Sequence, residues 1–381
     1  MPTTPRILIL TQINDVHAAA VMLALDRTAA GASVVLCGDF PTRLSGSIFI
    51  PGPGQAREGA VLCEGDRDIV NSDVDVVWYR RPARPRLPDD MHPGDRQIAI
   101  AECEAFERDL YDVLAPKAFW INSPSGARQA NRKISQLTHA SAAGLRVPAT
   151  LASNDPKEIR SFLERHRGSA IHKTFLPNIW EDGDNVTLAF TSKVGLQDLP
   201  RDDTLRLAPG IYQELIPKSY ELRLTLFGAT CLGAKLRSSE HVDAAVDWRA
   251  AGVQVPVEPY EVPLALQQQC IELMARLGIV SGCADLIVTP DGEPVFLEIN
   301  QAGQWLWLEE CCPELTLLDA FVDFLHEGPA FAYRPRSERL RYKDFRAGAL
   351  ALLETQLRSH VQHSTWSTAA DSSPSQHPTP S

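Results

Sequence analysis

The segment "CADLIVTPDGEPVFLEINQAGQW", residues 283–305, places two apolar runs on either side of Asp291 and Gly292. This pattern predicts a β-hairpin, because a two-residue type I′ loop requires positive φ at both central positions and an Asp-Gly pair tolerates it. A loop of these two residues pairs Val288 with Val295. The same register fixes which side chains meet on each face of the hairpin.

The predicted register sets Asp285 directly opposite Glu298. Because side chains alternate along a strand, we expect one wholly apolar face in the core and one mixed face. The apolar face consists of Leu286, Val288, Val295, Leu297 and Ile299. The mixed face carries Asp285, Ile287, Phe296, Glu298 and Asn300.

The oxygen-bearing side chains of the mixed face, Asp285, Glu298 and Asn300, suggest a metal site. Opposed side chains have Cβ atoms roughly 5 Å apart, and two like charges there repel unless something positive lies between them. Mg²⁺ prefers oxygen ligands and keeps positions for water and phosphate. The hairpin pattern alone fits equally well an ordinary hairpin whose acids are solvated.

The whole chain has the composition of a globular protein with 381 residues, long enough for two or three domains. Its net charge of −11 argues against a nucleic-acid partner, since duplex binding depends on Lys and Arg that neutralise phosphates. The N-terminus does not resemble a signal peptide, and no apolar window reaches membrane-spanning length. These features predict a cytoplasmic protein without a membrane partner.

Residues 1–122 alternate strand and helix patterns. "RILILT" predicts a strand, "DVHAAAVMLALDRTAAG" a helix ending at Gly31, and "SVVLCG" a second strand. This βαβ opening indicates a Rossmann-like α/β domain. It lacks a GxGxxG motif, which argues against a dinucleotide site.

Residues 123–334 have an α+β pattern with antiparallel strands. We expect one helix in "ARQANRKISQLTHASAAG" ended by Gly144, a strand "SAIHKTF" that carries Lys173, and two strands around Gly228. An amphipathic helix in "PLALQQQCIELMARLG" precedes the hairpin. Residues 335–381 are predicted to be a mostly disordered tail with one amphipathic helix pattern, "FRAGALALLETQLRSHV".

Cations and acids upstream of the hairpin fit a nucleotide. Lys133 and Lys173 lie on separate elements, and a lysine ammonium group suits phosphate oxygens, although each alone also fits a surface lysine. The segment "YQELIPKSYELRLTLFG" places Glu221 and Arg223 on one strand face. A hinge strand at adenine, a carboxylate at ribose and cations at phosphate would account for all of them.

Seven pieces in this order resemble the ATP-grasp superfamily of carboxylate ligases over residues 123–330: "NRKISQL", "IHKTF", "YQELI", "ELRLTLFG", "VDWR", "CADLIV" and "FLEINQAGQW". Within it the sequence most resembles the graspetide synthetases, the microviridin-type peptide maturases. Their hallmarks are matched by "VWYRRP" at 77–82, "VDWR" at 246–249 and "EINQAGQWLW" at 298–307. Family members often have Asn-Pro where this chain has Asn300-Gln301.

The resemblance implies an ATP-grasp fold with an N-terminal Rossmann-like pre-ATP-grasp domain, residues 1–122. Residues 123–209 would form the lid subdomain and 210–334 the subdomain with the metal site, followed by the tail. The implied ATP-binding residues are Lys133, Lys173, Gln213, Glu214, Leu215 and Glu221, with Glu214 and Leu215 as the adenine hinge and Glu221 at the ribose. The implied ligands of two Mg²⁺ ions are Asp285, Glu298 and Asn300.

The implied catalytic cations at the phosphates are Arg223 and Arg249, and the implied substrate-binding residues are Arg80, Arg81 and Asp247. Arg80 and Arg81 would face the acidic core of the peptide, because Arg binds carboxylates bidentately. Arg84 and Arg86 equally fit a solvated loop. The segment "NVTLAFTSKVGLQDLPRDDTLRL" fits either a docking site for the leader peptide or a lid over ATP.

The resemblance implies an enzyme that activates Asp or Glu side chains of a ribosomal precursor peptide as acylphosphates. Thr or Ser hydroxyls or Lys amines of the same peptide would then attack, giving macrocyclic esters or amides. Relatives suggest a homodimer. Two alternatives stay open: an ATP-grasp ligase that adds amino acids to a protein or peptide, like the ribosomal-protein glutamate ligases, and a non-catalytic nucleotide-binding regulator.

Overall fold

The N-terminal part of the chain forms the predicted α/β domain. The computed structural model describes residues 4–28, 30–54, 58–65, 67–70, 74–176, 179–182, 185–188, 191–237 and 255–359. The first strands and helices are β1 (Ile7–Thr11), α1 (Val16–Arg27), β2 (Ala32–Leu36), β3 (Leu44–Phe49), β4 (Gly59–Glu64), β5 (Arg67–Val70), β6 (Val76–Tyr79), α2 (Pro93–Val113) and β7 (Phe119–Ile121). A parallel sheet has the strand order β2-β1-β6-β7, and β3, β4 and β5 form a small antiparallel sheet.

The middle part contains a second antiparallel sheet with the strand order β12-β9-β13-β8. Its elements are α3 (Pro124–Ala130), α4 (Lys133–Ala142), β8 (Thr150–Ser153), α5 (Pro156–Arg165), β9 (Ala170–Lys173), β10 (Ile179–Asp182), β11 (Asn185–Leu188), β12 (Ser192–Lys193), α6 (Asp202–Leu205) and β13 (Gly210–Glu214). Strand β13 pairs with β8 and β9, so this sheet extends past the boundary predicted between residues 209 and 210.

The single helix predicted before Gly144 is in fact two helices, α3 and α4. Ser123 Oγ accepts a hydrogen bond from Gly126 N–H at 3.1 Å and caps α3, which ends at Ala130. Arg132 then adopts extended backbone angles, with φ −89° and ψ 101°, so α4 begins at Lys133. The break gives Lys133 the first position of a new helix.

The C-terminal part is built on a five-stranded antiparallel sheet with the order β16-β15-β14-β17-β18. Its elements are β14 (Tyr220–Phe227), β15 (Thr230–Leu236), β16 (Val257–Tyr260), α7 (Leu264–Leu277), β17 (Ser281–Val288), β18 (Pro294–Asn300), α8 (Leu306–Cys311), α9 (Leu317–Glu327) and α10 (Tyr342–Ser359). The predicted core face of α7 is confirmed, since its apolar residues are all buried: Leu266, Cys270, Leu273, Met274 and Leu277.

Helix α10 forms where the sequence predicted one amphipathic helix within the tail, residues 335–381. Its residues Phe345, Ala349 and Leu353 are buried in the same apolar cluster as Val21 and Leu25 of α1. The apolar stripe that the sequence shows in this segment therefore closes over the N-terminal domain. Residues 360–381 of the predicted tail lie outside the described residues. Within the part of the chain that is described, no helix combines the length and the apolar character needed to cross a bilayer.

Candidate active site

The loop of the hairpin between β17 and β18 has three residues, 290–292, instead of the predicted two. Thr289 N–H donates to Glu293 O at 3.0 Å, which closes the ladder one residue earlier than a two-residue loop would. Gly292 N–H donates to Thr289 O at 2.9 Å, and its φ of 84° lies in the left-handed region that glycine tolerates. The hairpin therefore uses the three-residue loop with glycine in its last position.

A β-bulge restores the predicted opposition of the two acids. The three-residue loop shifts the pairing by one residue, so Val288 does not face Val295 as predicted. The register shifts back at Leu297, which has no partner on β17, and Asp285 lies opposite Glu298. The predicted pair of acids is confirmed, although the predicted route to it was wrong.

The bulge also changes which side chains share a face. Phe296, predicted on the mixed face, is fully buried in the core cluster under α7. Val295 and Leu297, predicted in that core, instead form a small apolar cluster with Ile216 and Ile287. The cluster joins the hairpin, close in sequence to both acids, to Ile216 in the segment that follows β13.

Arg223 supplies the positive charge that the opposed acids require. Its Nη1 donates to Asp285 Oδ1 at 2.6 Å, and its Nη2 donates to Gln304 O at 3.0 Å. Burial acts to lower the pKa of this guanidinium, but the carboxylate of Asp285 more than offsets burial and raises the pKa. Glu298 in turn accepts a hydrogen bond from Asn300 Nδ2 at 3.2 Å.

The donor set on this face fits a hard divalent cation. Asp285, Glu298 and Asn300 lie on adjacent strands and offer carboxylate and amide oxygens, the ligands that Mg²⁺ prefers. Across the described residues, no three His, Cys, Asp or Glu side chains are grouped so as to hold a metal ion. A metal here would therefore complete its coordination with water or phosphate oxygens.

The predicted hinge residues lie at the end of β13. Glu214 N–H donates to Ala149 O at 2.9 Å, and Leu215 N–H donates to Ser169 O at 2.8 Å. Gln213 is buried, and its Nε2 donates to Thr150 Oγ1 at 3.0 Å. Both hinge N–H groups donate inside the sheet. Hydrogen bonds from Glu214 or Leu215 to a base would therefore have to use their carbonyl groups or the Glu214 side chain.

The predicted phosphate lysines belong to neighbouring elements. Lys173 is the last residue of β9 and pairs with Ile211 of β13. Lys133 Nζ donates to Thr174 O at 2.5 Å, so the start of α4 and the end of β9 meet. On β14, Glu221 accepts a hydrogen bond from Lys218 Nζ at 2.5 Å.

Gln136 is a buried residue of the site that the sequence analysis missed. Its Nε2 donates to Ile299 O at 3.0 Å and its Oε1 accepts from Ile299 N–H at 2.9 Å. This double hydrogen bond fixes α4, and with it Lys133, against the strand that carries Glu298. The sequence offered only a polar side chain one helical turn after Lys133. Such a side chain implies a hydrogen-bond partner only once it is known to be buried.

Asn122 is a second residue that the sequence analysis missed. Its Oδ1 accepts from Val280 N–H at 2.7 Å and from Ser281 N–H at 3.0 Å. Its Nδ2 donates to Ser281 O at 2.9 Å and to Gln301 O at 3.2 Å. The side chain thereby joins the end of β7 to both ends of the hairpin that carries the acids.

Arg80 is buried, which contradicts the prediction that it faces a bound peptide. The residue is 2% exposed. Its Nε donates to Asp15 Oδ2 at 3.3 Å, its Nη1 donates to Gly303 O at 2.9 Å, and its guanidinium lies 5.6 Å from the ring centroid of Trp78. These contacts join the N-terminal domain to the segment after β18 and leave Arg80 no surface for an acidic peptide.

The other arginines of this loop differ in exposure. Arg81 is half-buried, and after burial and the charge of Arg80 its charge also lowers the pKa of His17. Arg84 is exposed, and its Nε lies 3.6 Å from Glu104 Oε1. Arg86 is buried. The solvated-loop alternative thus fits Arg84, and Arg81 remains the candidate for contact with a substrate.

Two predicted site residues, Arg249 and Asp247, lie outside the described residues, as do parts of the segment predicted to dock a leader peptide or cover ATP. The hallmark "VDWR" therefore has no structural description. The roles assigned to these residues stay predictions.

The chain is similar to known proteins in both sequence and structure. Residues 6–128 match the family model described as the MvdD pre-ATP grasp domain. The structure is similar to macrocyclase MdnC from Microcystis aeruginosa MRC, solved with the precursor peptide MdnA, at 29% identity and a TM-score of 0.72 over 84% of this chain and 98% of that chain. Macrocyclase MdnB from the same organism is 28% identical, with a TM-score of 0.70 over 85% and 100% of the two chains.

A third similar structure is the RiPP-associated ATP-grasp ligase from Chryseobacterium gregarium, in complex with ADP and a leader and core peptide. It is 24% identical and has a TM-score of 0.76 over 88% of this chain and 98% of that chain, a likeness that concerns the fold alone. No curated protein sequence matches the chain significantly. Together these similarities confirm the predicted ATP-grasp fold with an N-terminal pre-ATP-grasp domain, and the predicted resemblance to the graspetide synthetases.

Proposed function

We propose that this chain, which has the ATP-grasp fold and resembles the graspetide synthetases, is an ATP-dependent peptide macrocyclase. It joins Asp or Glu side chains of a ribosomal precursor peptide to Thr or Ser hydroxyls or Lys amines of the same peptide. The observation that carries the proposal is the meeting of Arg223 with Asp285 opposite Glu298. The similarity to a macrocyclase solved with its precursor peptide supports the class of substrate.

The proposed reaction has two steps. A carboxylate oxygen of the peptide attacks the γ-phosphorus of ATP, ADP leaves, and a peptide acylphosphate forms. A hydroxyl or amine of the peptide then attacks the acyl carbon, loses its proton and releases phosphate, which closes an ester or amide ring. Positioning and electrostatics supply most of the acceleration in such transfers, so no Ser-His-Asp arrangement is required.

The side chains of the site have distinct proposed roles. Asp285, Glu298 and Asn300 would hold Mg²⁺, which when bound neutralises charge on phosphate oxygens. Arg223 would face the transferred phosphoryl group and the carboxylate that accepts it. Lys133 and Lys173 would bind phosphate oxygens.

The base and ribose of ATP would be bound at the other end of the site. Gln213, Glu214 and Leu215 would meet the adenine beside the apolar cluster of Ile216 and Ile287, and Glu221 would bind the ribose hydroxyls. The number of magnesium ions, Arg249 at the phosphates, Asp247 at the peptide, a homodimer and a cytoplasmic location stay predictions.

The proposal is tested by incubating the protein with ATP, Mg²⁺ and an Asp/Glu-rich precursor peptide, and weighing the product. Each ring closure should remove the mass of one water and release one ADP. A gain of mass from added amino acids would instead identify the ligase alternative. The absence of any ATP turnover with a folded protein would favour the regulator.

Replacing Lys173 by Ala should weaken ATP binding at least about tenfold, because a hydrogen bond to a charged group contributes about 1.5–3 kcal/mol. Titration calorimetry with a non-hydrolysable ATP analogue measures the change. Lys157→Ala, on the exposed first turn of α5, is the matched control and should bind like the wild type. Equal affinity for the ATP analogue in Lys173→Ala and Lys157→Ala would show that Lys173 is an ordinary surface lysine that does not bind phosphate.

Replacing Arg81 by Lys should slow cyclisation up to about a hundredfold while ATP binding changes little, because a misplaced acceptor costs rate without disturbing the donor. A lysine keeps the charge but loses the fork that binds a carboxylate bidentately. Arg84→Lys in the same loop, at an exposed position, is the control and should cyclise normally. Rapid cyclisation by Arg81→Lys would exclude a bidentate contact at this position.

A further inference from the structure

The segment Gly303, Gln304 and Trp305 begins three residues after β18, the strand that carries Glu298, and is hydrogen-bonded at both ends to the N-terminal domain. At its start, Arg80 Nη1 donates to Gly303 O at 2.9 Å. At its end, His17 Nε2 accepts from Trp305 N–H at 2.9 Å and from Leu306 N–H at 3.1 Å. Both anchoring side chains are buried. Arg80 follows β6 and His17 lies in α1, so both are more than 200 residues from the segment in sequence.

The middle residue of this segment is bonded to the site itself. Gln304 O accepts from Arg223 Nη2 at 3.0 Å, and Arg223 Nη1 donates to Asp285 Oδ1 at 2.6 Å. The buried Arg223 Nε has no hydrogen-bond partner among the described residues. The orientation of this guanidinium therefore depends on one carboxylate and on one backbone carbonyl, that of Gln304.

The anchors are themselves held in place. Asp15 accepts from Thr11 Oγ1 at 2.8 Å and from His17 N–H at 3.1 Å, as well as from Arg80 Nε at 3.3 Å. The His17 and Trp305 rings meet edge to face at 5.1 Å between centroids. Arg80 Nη2 has no hydrogen-bond partner among the described residues, but the other contacts of this buried network restrict the segment to one arrangement.

The chemistry of His17 suits an acceptor. Burial lowers the pKa of His17 well below its ordinary value, and the neighbouring charges of Arg80, Arg81 and Arg223 lower it further. Because Nε2 accepts two N–H groups, the imidazole is neutral and its proton lies on Nδ1. A protonated ring would present an N–H to these donors and break both bonds.

We infer that His17 and Arg80 are positioning residues: the N-terminal domain holds the Gly303–Trp305 segment so that the Gln304 carbonyl orients Arg223 against Asp285. This role rests on the proposed function of Arg223 and goes beyond it, since it assigns the pre-ATP-grasp domain a part in the phosphoryl-transfer site. Neither residue touches ATP or peptide in this scheme. They act through one backbone carbonyl.

The test compares His17→Leu, which removes the acceptor, with His17→Gln, which returns an oxygen near the position of Nε2. In His17→Leu the Trp305 and Leu306 amides should exchange hydrogen roughly 10- to 100-fold faster, because two buried donors lose their partner. The kcat for cyclisation should fall about a hundredfold through misplacement of Arg223. The KM for ATP should stay near the wild-type value, because the hinge and the lysines are untouched. His17→Gln should restore both slow exchange and kcat.

The control is His326→Leu, which removes a histidine that also reaches α1, through a 3.1 Å contact between its Nε2 and Thr28 Oγ1, without touching the segment. It should leave exchange at Trp305 and kcat unchanged. If His17→Leu does not fold, His17→Gln is compared with His17→Asn, whose shorter side chain does not reach the Trp305 amide. The same slow exchange and high kcat in Asn and Gln variants would overturn the inference.

Two further results would also overturn it. One is wild-type exchange at Trp305 in folded His17→Leu, which would show that the histidine does not hold the segment. The other is fast exchange with wild-type kcat, which would show that the position of the segment is unimportant for the reaction. If the wild-type protein cyclises no peptide, the proposed function is wrong. The comparison of hydrogen exchange would still decide whether His17 holds the segment.

Discussion

Replacing Glu298 by Gln is expected to lower the rate of ATP-dependent cyclisation at least about a hundredfold, the loss typical when one preorganised electrostatic contact of a transition state is removed. The change deletes a carboxylate from the pair with Asp285 and leaves the shape of the side chain intact. Its amide oxygen can still accept from Asn300 Nδ2. The folded state should not suffer, because the change removes a like charge that faces Asp285. Initial rates followed by mass spectrometry and urea unfolding measure the two effects.

The control for this prediction is Glu293→Gln at the loop of the same hairpin. Glu293 is exposed and forms an ion pair with Arg146 outside the site. An exposed pair contributes little, so Glu293→Gln should cyclise at the wild-type rate. If Glu298→Gln were as active as Glu293→Gln, the opposed acids would be an ordinary feature of the hairpin and not a metal site.

Replacing Asp15 by Ala should destabilise the protein more than any other change proposed for it, by about 3–5 kcal/mol in the free energy of unfolding. The reason is that Arg80 would remain as a buried charge without its carboxylate partner. Both side chains of this pair are 2% exposed, so water cannot replace the lost partner in the folded state. Urea unfolding followed by circular dichroism gives the change in free energy.

Two variants separate the ion pair from the helix cap in this measurement. Asp15 also caps α1, and Asp155 caps α5 in the same way at an exposed position, where its Oδ1 accepts from Lys157 N–H at 2.9 Å. Asp155→Ala should therefore cost only about 1 kcal/mol, the usual loss for a cap. Asp15→Asn, which keeps a capping oxygen, should lie between the two. Equal losses in Asp15→Ala and Asp155→Ala would show that the buried pair with Arg80 adds nothing.

Periodicity and turn chemistry predicted much of the fold because they report local structure. The alternation around Asp291 and Gly292 located both strands of the hairpin, and the spacing in α7 identified its buried face. The bulge at Leu297 was not predictable in this way, because an extra residue within the apolar run "VFL" leaves no mark in the pattern. Only the pairing of both strands reveals it.

Burial of polar side chains could not be predicted from the sequence for a different reason. Arg80 follows a strand and looks like a surface cation, but its partners lie 65 and 223 positions away in the chain. Gln136 and Asn122 bond to the hairpin across more than a hundred residues. Such partners become known only when the domains are packed together, which is why the candidate site was found through its acids and not through the side chains that hold it.

The hairpin with the acids has one extra residue in its loop and one extra residue at the Leu297 bulge, and their effects on the strand register cancel. A two-residue loop without a bulge and a three-residue loop with one both place twelve residues between Asp285 and Glu298. The spacing of the acids can therefore be inherited unchanged while the turn itself is remodelled. A one-residue insertion or deletion in a strand between the acids would not be tolerated in this way. Because strand side chains alternate, a slip of one residue would turn one acid into the core. In this hairpin, evolution can change the turn and the bulge together, but neither one alone.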